Sequence, residues 1–266
     1  MFSALPADLR IALNGAAERL GPFNAVRYAE SIGSTNDAAL ALASSGEGEG
    51  ASVLADQQTA GRGRRGRAWS SPPGAGLYLS VILRGDDLTR RPGLVTLGAG
   101  AAATAAVQRS TGLPARLKWP NDLVIGREWR KLGGILCEAQ GPDVLVVGIG
   151  INLTAAAHPP DVSARAASIE AELGRAVDRA PIIVECLAGL RDLALELRAD
   201  RGAAIVSAWR ERAADGWNAA PVQWVDGERT IAAVARDIDA DGGLIVERDG
   251  RLERVIAGEV VWIPRR

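Results

Sequence analysis

Between residues 116 and 149, four strand-length segments (116–119, 123–125, 132–138 and 144–149) follow one another with no helical stretch between them. Strands that arrive in runs, instead of alternating one for one with helices, favour an α+β chain over a doubly wound parallel one. Residues 76–83 show the period of a strand, with Leu77, Leu79 and Val81 alternating against Tyr78 and Ser80. Shorter strands fit 26–28 and 52–55. Helical spacing runs over 5–20, where Leu9, Leu13, Ala16, Ala17 and Leu20 line up between Pro6 and a stop at Gly21-Pro22. It recurs over 34–43, over the alanine-rich 93–107 and over 163–216, most strongly at 182–197. These segments predict a mixed β-sheet flanked by helices.

The pattern changes after Gly216. Short alternating segments are separated by Asp226-Gly227, Asp241-Gly242-Gly243 and Asp249-Gly250. Asp-Gly between alternating segments is the strongest short hairpin signal. Three such turns in so short a stretch predict a small β-barrel over 217–266, appended to a larger domain over 1–216. With 266 residues and 47% hydrophobic content, the chain has material for such an arrangement.

Charge and composition exclude several functions. The net charge of −1 gives no global basic field to draw the chain onto nucleic acid or anionic lipid. Cys137 and Cys186 are far apart and in no CxxC pair, so they read as buried reduced thiols. His158 is the only histidine, which leaves little for a histidine triad or a zinc site. The N-terminus lacks the pattern of a signal peptide, and no apolar run is long enough to span a bilayer. A cytoplasmic enzyme is the expectation.

Against that neutral background one stretch is strongly basic: Gly61-Arg62-Gly63-Arg64-Arg65-Gly66-Arg67, with Gln58 before it and Trp69 after. Guanidinium forks suit phosphate and carboxylate oxygens, and glycines let backbone approach a ligand closely. The stretch reads either as an anion-binding loop over a pocket or as a solvated or RNA-binding segment. Its shortness and its place between two core strands favour the pocket. Ser34-Thr35-Asn36-Asp37 fits a capping box, with Ser34 as N-cap, or a polar ligand site at a helix mouth. Lys118-Trp119-Pro120-Asn121-Asp122 reads as a turn, or as an Asn-Asp pair for Mg²⁺ or a ribose. Glycines inside two strands, Lys131-Leu132-Gly133-Gly134-Ile135 and Gly148-Ile149-Gly150-Ile151-Asn152, suggest close approach by a ligand. No Walker A motif is present, and the arginine loop precedes a strand, not the helix of a dinucleotide site.

Taken in order, Ser34-Thr35-Asn36, the 61–67 loop with Trp69, the 118–122 motif, 130–136 and 148–152 resemble the biotin protein ligases. The resemblance spans roughly residues 24–266. It implies a class II synthetase/biotin ligase-like mixed sheet with a C-terminal SH3-like barrel. It also implies formation of biotinyl-5′-AMP from biotin and MgATP, then transfer of biotin to a lysine of a biotin carboxyl carrier domain. Under it, Ser34, Thr35, Asn36 and Gln58 hold the biotin head. Gly61, Arg62, Gly63, Arg64 and Arg65 cover carboxylate and phosphate. Lys131 sits at the reacting carboxylate, Gly134 lets biotin lie on the strand, and Tyr78, Gly148, Ile151 and Asn152 complete the binding set. Trp69 stacks on adenine. Asn121 and Asp122 serve Mg²⁺, the ribose or the acceptor lysine. Lys131, Arg62, Arg64 and Asp122 form the implied catalytic set, with no protein metal ligands. The loop is expected to act as a lid, loose when empty.

Only one predicted helix precedes Ser34, too little for the winged helix-turn-helix of repressor relatives, so no operator binding is expected. The resemblance leaves a homodimer open. The runner-up is a lipoate or octanoyl ligase or transferase of the same superfamily, against which the arginine loop and 118–122 speak.

Overall fold

The computed structural model describes residues 2–226, 229–256 and 260–263. Helices Ala7–Gly15 (α1) and Ala17–Leu20 (α2) precede strand Val26–Ile32 (β1). Helix Thr35–Ser44 (α3), strand Ser52–Gln58 (β2), the arginine loop and strand Gly76–Arg84 (β3) follow. Helices Asp86–Arg90 (α4) and Pro92–Thr111 (α5) lead into four strands: Arg116–Lys118 (β4), Asp122–Ile125 (β5), Arg130–Gln140 (β6) and Val144–Asn152 (β7). Helices Ile169–Leu173 (α6), Arg179–Arg198 (α7) and Gly202–Arg212 (α8) come next.

The seven strands form one sheet in the order β1-β2-β3-β7-β6-β5-β4. Only β1 and β2 pair parallel, so the sheet is mixed, as the run of consecutive strands predicts. Its two faces differ because side chains alternate. Leu77, Leu79, Val81 and Leu83 of β3, with Leu145, Val147, Ile149 and Ile151 of β7, belong to the main core, which α5 and α7 cover. Helix α5 is rich in Ala and Gly because α7 packs tightly on it. A Cβ at Gly98 would lie 2.3 Å from Leu193 Cδ1, and one at Gly189 would lie 2.7 Å from Ala102 Cβ. The opposite face is apolar only at one end, where Ala39 and Ala43 of α3 pack on Val53, Ile82, Val144 and Val146. Beyond that cluster, this face carries Ser80, Gly148, Gly150 and Gly134, and there the candidate site lies.

Two helical expectations change. The 5–20 segment breaks at Ala16 (φ −105°, ψ 3°) into α1 and α2. The 163–216 segment is three helices, not one. Gly174 ends α6 in the left-handed region at φ 68°, and Asp178 starts α7 by accepting from Ala180 N at 2.9 Å.

The C-terminal part is a five-stranded antiparallel sheet of Pro221–Asp226 (β8), Arg229–Ile238 (β9), Leu244–Arg248 (β10), Arg251–Val255 (β11) and Val261–Trp262 (β12), in the order β11-β10-β9-β8-β12. The Asp249-Gly250 turn has positive φ at both residues, 51° and 75°, as a two-residue hairpin of the preferred twist requires. At the next turn back, Asp239 Oδ1 accepts from the amides of Asp241 and Gly243. The Asp226-Gly227 turn lies partly outside the described residues. Tryptophans join this sheet to the large one. Trp119 Nε1 donates to Gly242 O at 2.9 Å, Trp262 Nε1 donates to Trp119 O at 3.0 Å, and the Trp129 and Trp262 rings meet edge on at 5.7 Å. Burial pushes the thiols of Cys137 and Cys186 up to about 11 and about 12, as expected of inert, unpaired cysteines. Among the described residues no helix is long and apolar enough to cross a membrane.

Candidate active site

Helix α3 opens onto the polar face of the sheet. Ser34 takes the N-cap position with extended backbone, but its side chain makes no capping bond, and the Asp37 carboxylate turns instead to Arg62 Nη2 at 2.7 Å. The capping-box reading therefore fails: Ser34, buried, makes no side-chain bond to the helix, and Asp37 pairs across to the loop. Thr35 donates through its backbone N and its Oγ1 to Gln58 Oε1, at 2.8 and 3.0 Å, and Gln58 Nε2 donates to Ser71 Oγ. Ser80 Oγ lies 2.8 Å from Thr35 Oγ1 and donates to Asn36 Oδ1 at 2.6 Å. Asn36 Nδ2 donates to Glu138 Oε2 at 2.7 Å and to Leu136 O at 3.3 Å. Gly148 admits this amide, since a Cβ there would stand 2.3 Å from Asn36 Oδ1.

The arginine loop folds back on itself. Gly63 N donates to Arg67 O and Trp69 N to Gly61 O, with Arg65 (φ 58°) and Gly66 (φ 71°) at the tip. Gly61 is needed there: a Cβ would lie 2.5 Å from Trp69 O. Arg62 Nη2 reaches both Glu138 oxygens, at 3.0 and 2.9 Å, as well as Asp37. Burial works against the Arg62 charge, but these carboxylates outweigh it and raise its pKa. Arg64 Nη1 donates to Asn121 Oδ1 at 3.3 Å, and burial followed by the nearby Arg65 charge lowers its pKa. Trp69 lies against β7, where a Cβ at Gly150 would be 2.8 Å from its ring, and Lys131 Nζ sits 5.3 Å from its centroid.

Lys131 reaches this face through a β-bulge. Its register with β5 slips by one residue, pairing Val124 with Lys131 but Leu123 with Gly133. One extra residue flips side chains across a sheet, so Lys131 shares a face with Gly134. Lys131 Nζ pairs with Asp122 Oδ1 at 2.6 Å, and Lys118 Nζ takes Asp122 Oδ2 at 2.9 Å. Burial alone would raise the Asp122 pKa; the two ammonium groups overcome it and hold the carboxyl below the usual carboxylate range. Asn121 is tied down too, Nδ2 donating to Ile135 O at 2.8 Å. With both Asp122 oxygens on lysines and both ends of the Asn121 amide bonded, these residues as placed do not form a Mg²⁺ site. Among the described residues no cluster of three or more His, Cys, Asp or Glu could hold a metal.

The structure thus gathers Ser34, Thr35, Asn36, Gln58, Arg62, Arg64, Trp69, Asn121, Asp122, Lys131, Gly134 and Gly148 around one polar face. It removes one residue from that set. Ile151, fully buried, alternates to the helix-covered side opposite Leu77 and Gly133. Tyr78, 2% exposed, lies on the cleft face opposite Gly150 and donates to Pro72 O, bracing the segment after the loop. Asn152 binds the backbone oxygens of Lys131 and Ala167 and anchors the start of β6. Glu138, Ser80, Asp37, Ser71 and Lys118 join the site without having been given a ligand role. Asp37 and Lys118 stood within recognised motifs, and Ser80 left a trace as a hydroxyl in an otherwise apolar strand.

Comparisons with known proteins agree with this architecture. The Biotin/lipoate A/B protein ligase family profile matches residues 28–153, and the Biotin protein ligase C terminal domain matches 221–262. The chain is 36% identical to the biotin--[acetyl-CoA-carboxylase] ligase of Mycobacterium tuberculosis over 237 residues, covering 87% of this chain and 86% of that protein. It is 34% identical to the bifunctional ligase/repressor BirA of Salmonella typhimurium over 216 residues, 79% of this chain but only 66% of the relative's length. Among solved structures, the biotin protein ligase from Aquifex aeolicus in complex with biotin and ATP superposes with a TM-score of 0.76 at 24% identity, over 90% of this chain and 99% of that one, a likeness of fold. Sequence, both domain matches and fold place the chain in the biotin protein ligase family.

Proposed function

We propose that this protein is an ATP-dependent biotin protein ligase, with residues 1–216 as its catalytic part and 217–266 as an appended sheet. The observation that carries the reading is Gly134. The atoms nearest the point where its Cβ would stand are Lys131 Cε and Nζ, at 3.5 Å, and Asn121 O, at 3.7 Å. These are ordinary van der Waals distances, unlike the close approach of Asn36 to Gly148 and of Trp69 to Gly150, so a flat bicyclic ligand can lie on the strand there. The Thr35, Asn36 and Gln58 groups stand on the α3 side with Arg62 beside them, and Lys131 stands by Gly134.

In the first step the biotin carboxylate attacks the α-phosphorus of MgATP. The bond to the β-phosphate oxygen breaks and pyrophosphate leaves. Both reactants are anions, so Lys131, Arg62 and Arg64 offset their repulsion and stabilise charge growing on phosphorus. Aligning the reactants contributes up to about 7–11 kcal/mol, with no side-chain nucleophile needed. The arginine loop shields the hydrolysable anhydride from water. In the second step a neutral lysine amine of a carrier domain attacks the anhydride carbonyl. AMP leaves, an amide forms and the amine sheds its proton. Asp122, held ionised between two ammonium groups, is a weak base, so its part is to fix Lys131. An Asp122→Asn enzyme is therefore expected to transfer biotin from preformed adenylate at close to the wild-type rate.

Biotin-dependent ATP–pyrophosphate exchange tests the first step. Exchange independent of biotin, or supported by lipoate in its place, would overturn the reading.

A further inference from the structure

Glu138 stands where two parts of the site meet. Its Oε2 accepts from Asn36 Nδ2 at the mouth of α3, and both its oxygens receive Arg62 Nη2 from the loop. We propose that Glu138 is a positioning residue that holds Arg62 over the adenylate; this rests on the ligase reading above.

Three observations carry it. First, Glu138 is fixed from below. Ser80 and Asn36 are buried, and the Asn36 amide is oriented by Ser80 on one side and by Glu138 and Leu136 O on the other. The carboxylate is the end of a hydrogen-bonded chain that starts at Gln58 and Thr35, not a free surface charge. Second, the contacts to Glu138 and Asp37 use Nη2 of Arg62 among the described residues, and both bidentate faces of a guanidinium include that nitrogen, so Nη1 and Nε are left to meet a ligand anion singly. Third, the loop cannot leave without consequence. Withdrawing Arg62 strands the Asp37 and Glu138 carboxylates beside each other with no cation between them, and like charges at such range disfavour that state. Glu138 and Asp37 therefore bias the loop toward closure from β6 and α3 at once.

The chemistry separates Glu138 from an ordinary structural carboxylate. Glu138→Gln keeps an oxygen for Asn36 and removes the charge that holds Arg62. Glu138→Ala removes both.

The experiment uses the full chain as wild type, E138Q, E138A, R62Q and the E138Q/R62Q double variant, each loaded with labelled biotin and MgATP, and follows adenylate release. E138Q and R62Q are each expected to speed release by about tenfold, the factor for one charge-assisted hydrogen bond, with the double variant no faster than either single. Multiplicative rates in the double variant, or a defect confined to E138A, would overturn the proposal. A second readout needs no catalysis: trypsin cleavage after Arg62, Arg64, Arg65 and Arg67 in the absence of ligand. E138Q is expected to be cut faster than wild type at these sites and unchanged elsewhere; equal cleavage overturns the Glu138–Arg62 link. Absence of biotin-dependent pyrophosphate exchange in wild type would instead count against the ligase reading, and the trypsin result would still decide the link.

Discussion

Two cations reach the cleft from opposite sides, and they are held in different ways. Lys131 projects from a strand, and its carboxylate partner, Asp122, is only 15% exposed and already shared with Lys118. Arg62 projects from a loop and is as exposed as Lys131, 37% against 38%, but it rests between carboxylates more open than Asp122: Asp37 at 52% and Glu138 at 30%. Exposed pairs contribute roughly 0–1 kcal/mol, whereas breaking a buried pair leaves an uncompensated charge. The strand side is therefore preformed and the loop side exchangeable. One cation is held by a strand through a nearly buried carboxylate, and the others come from a loop held by more exposed ones.

Removing the fixed cation should do the most damage. Lys131→Met is expected to cut biotin-dependent pyrophosphate exchange by on the order of 10²–10³, the loss typical of one electrostatic donor at a reacting centre. A drop no greater than that of Arg62→Gln would erase the distinction between the two sides.

Asp122→Asn attacks the same side through stability. It leaves Lys118 and Lys131 facing each other, at an expected loss of about 2 kcal/mol in urea unfolding, below the range for fully buried pairs because Lys131 is partly solvated. The pH dependence has a definite sign. The fold lowers the Asp122 pKa, so its contribution is complete above the unfolded value of ~3.9 and disappears as pH falls through the folded one. Wild type and Asp122→Asn should differ at neutral pH and converge in acid. Parallel curves would mean that the carboxylate is not charged in the fold.

On the loop side, Arg64→Gly should speed adenylate release by about tenfold and leave biotin binding nearly unchanged if, as proposed, its fork pairs with phosphate and not with the biotin head. An unchanged release rate would sink that assignment.

The contrast also marks what the sequence could disclose. Alternation placed the strands of both sheets, and Asp249-Gly250 marked a turn whose two positive φ angles the structure contains. Motif order located the loop, Lys131 and Asn121-Asp122. Two motif residues needed the structure for opposite reasons, one where the chain departs from alternation and one where it obeys it. Lys131 faces the cleft because of a bulge at Leu132, invisible to a count of two. Ile151 lies within the 148–152 motif yet points away, since neighbouring strand residues face opposite sides. Glu138 drew no notice in the sequence because its value comes from Asn36 and Arg62, both distant in sequence. The break at Gly174 was masked by apolar spacing that resumes beyond Asp178.

The smallest expected effect concerns how far the rigid side extends. Trp262 Nε1 binds the carbonyl of Trp119, the residue two before Asn121, so the C-terminal sheet braces the turn that carries Asp122. Trp262→Phe keeps an aromatic ring against Trp129 and loses that one hydrogen bond, at an expected cost of about 1 kcal/mol in unfolding. If the strand side is preformed by the large sheet itself, pyrophosphate exchange should stay within about twofold of wild type, because the Asp122–Lys131 pair and the bulge remain. A tenfold fall in exchange with intact adenylate retention would place the origin of that rigidity in the C-terminal sheet. The two sides of the cleft would then differ not only in exposure but also in which part of the chain holds them.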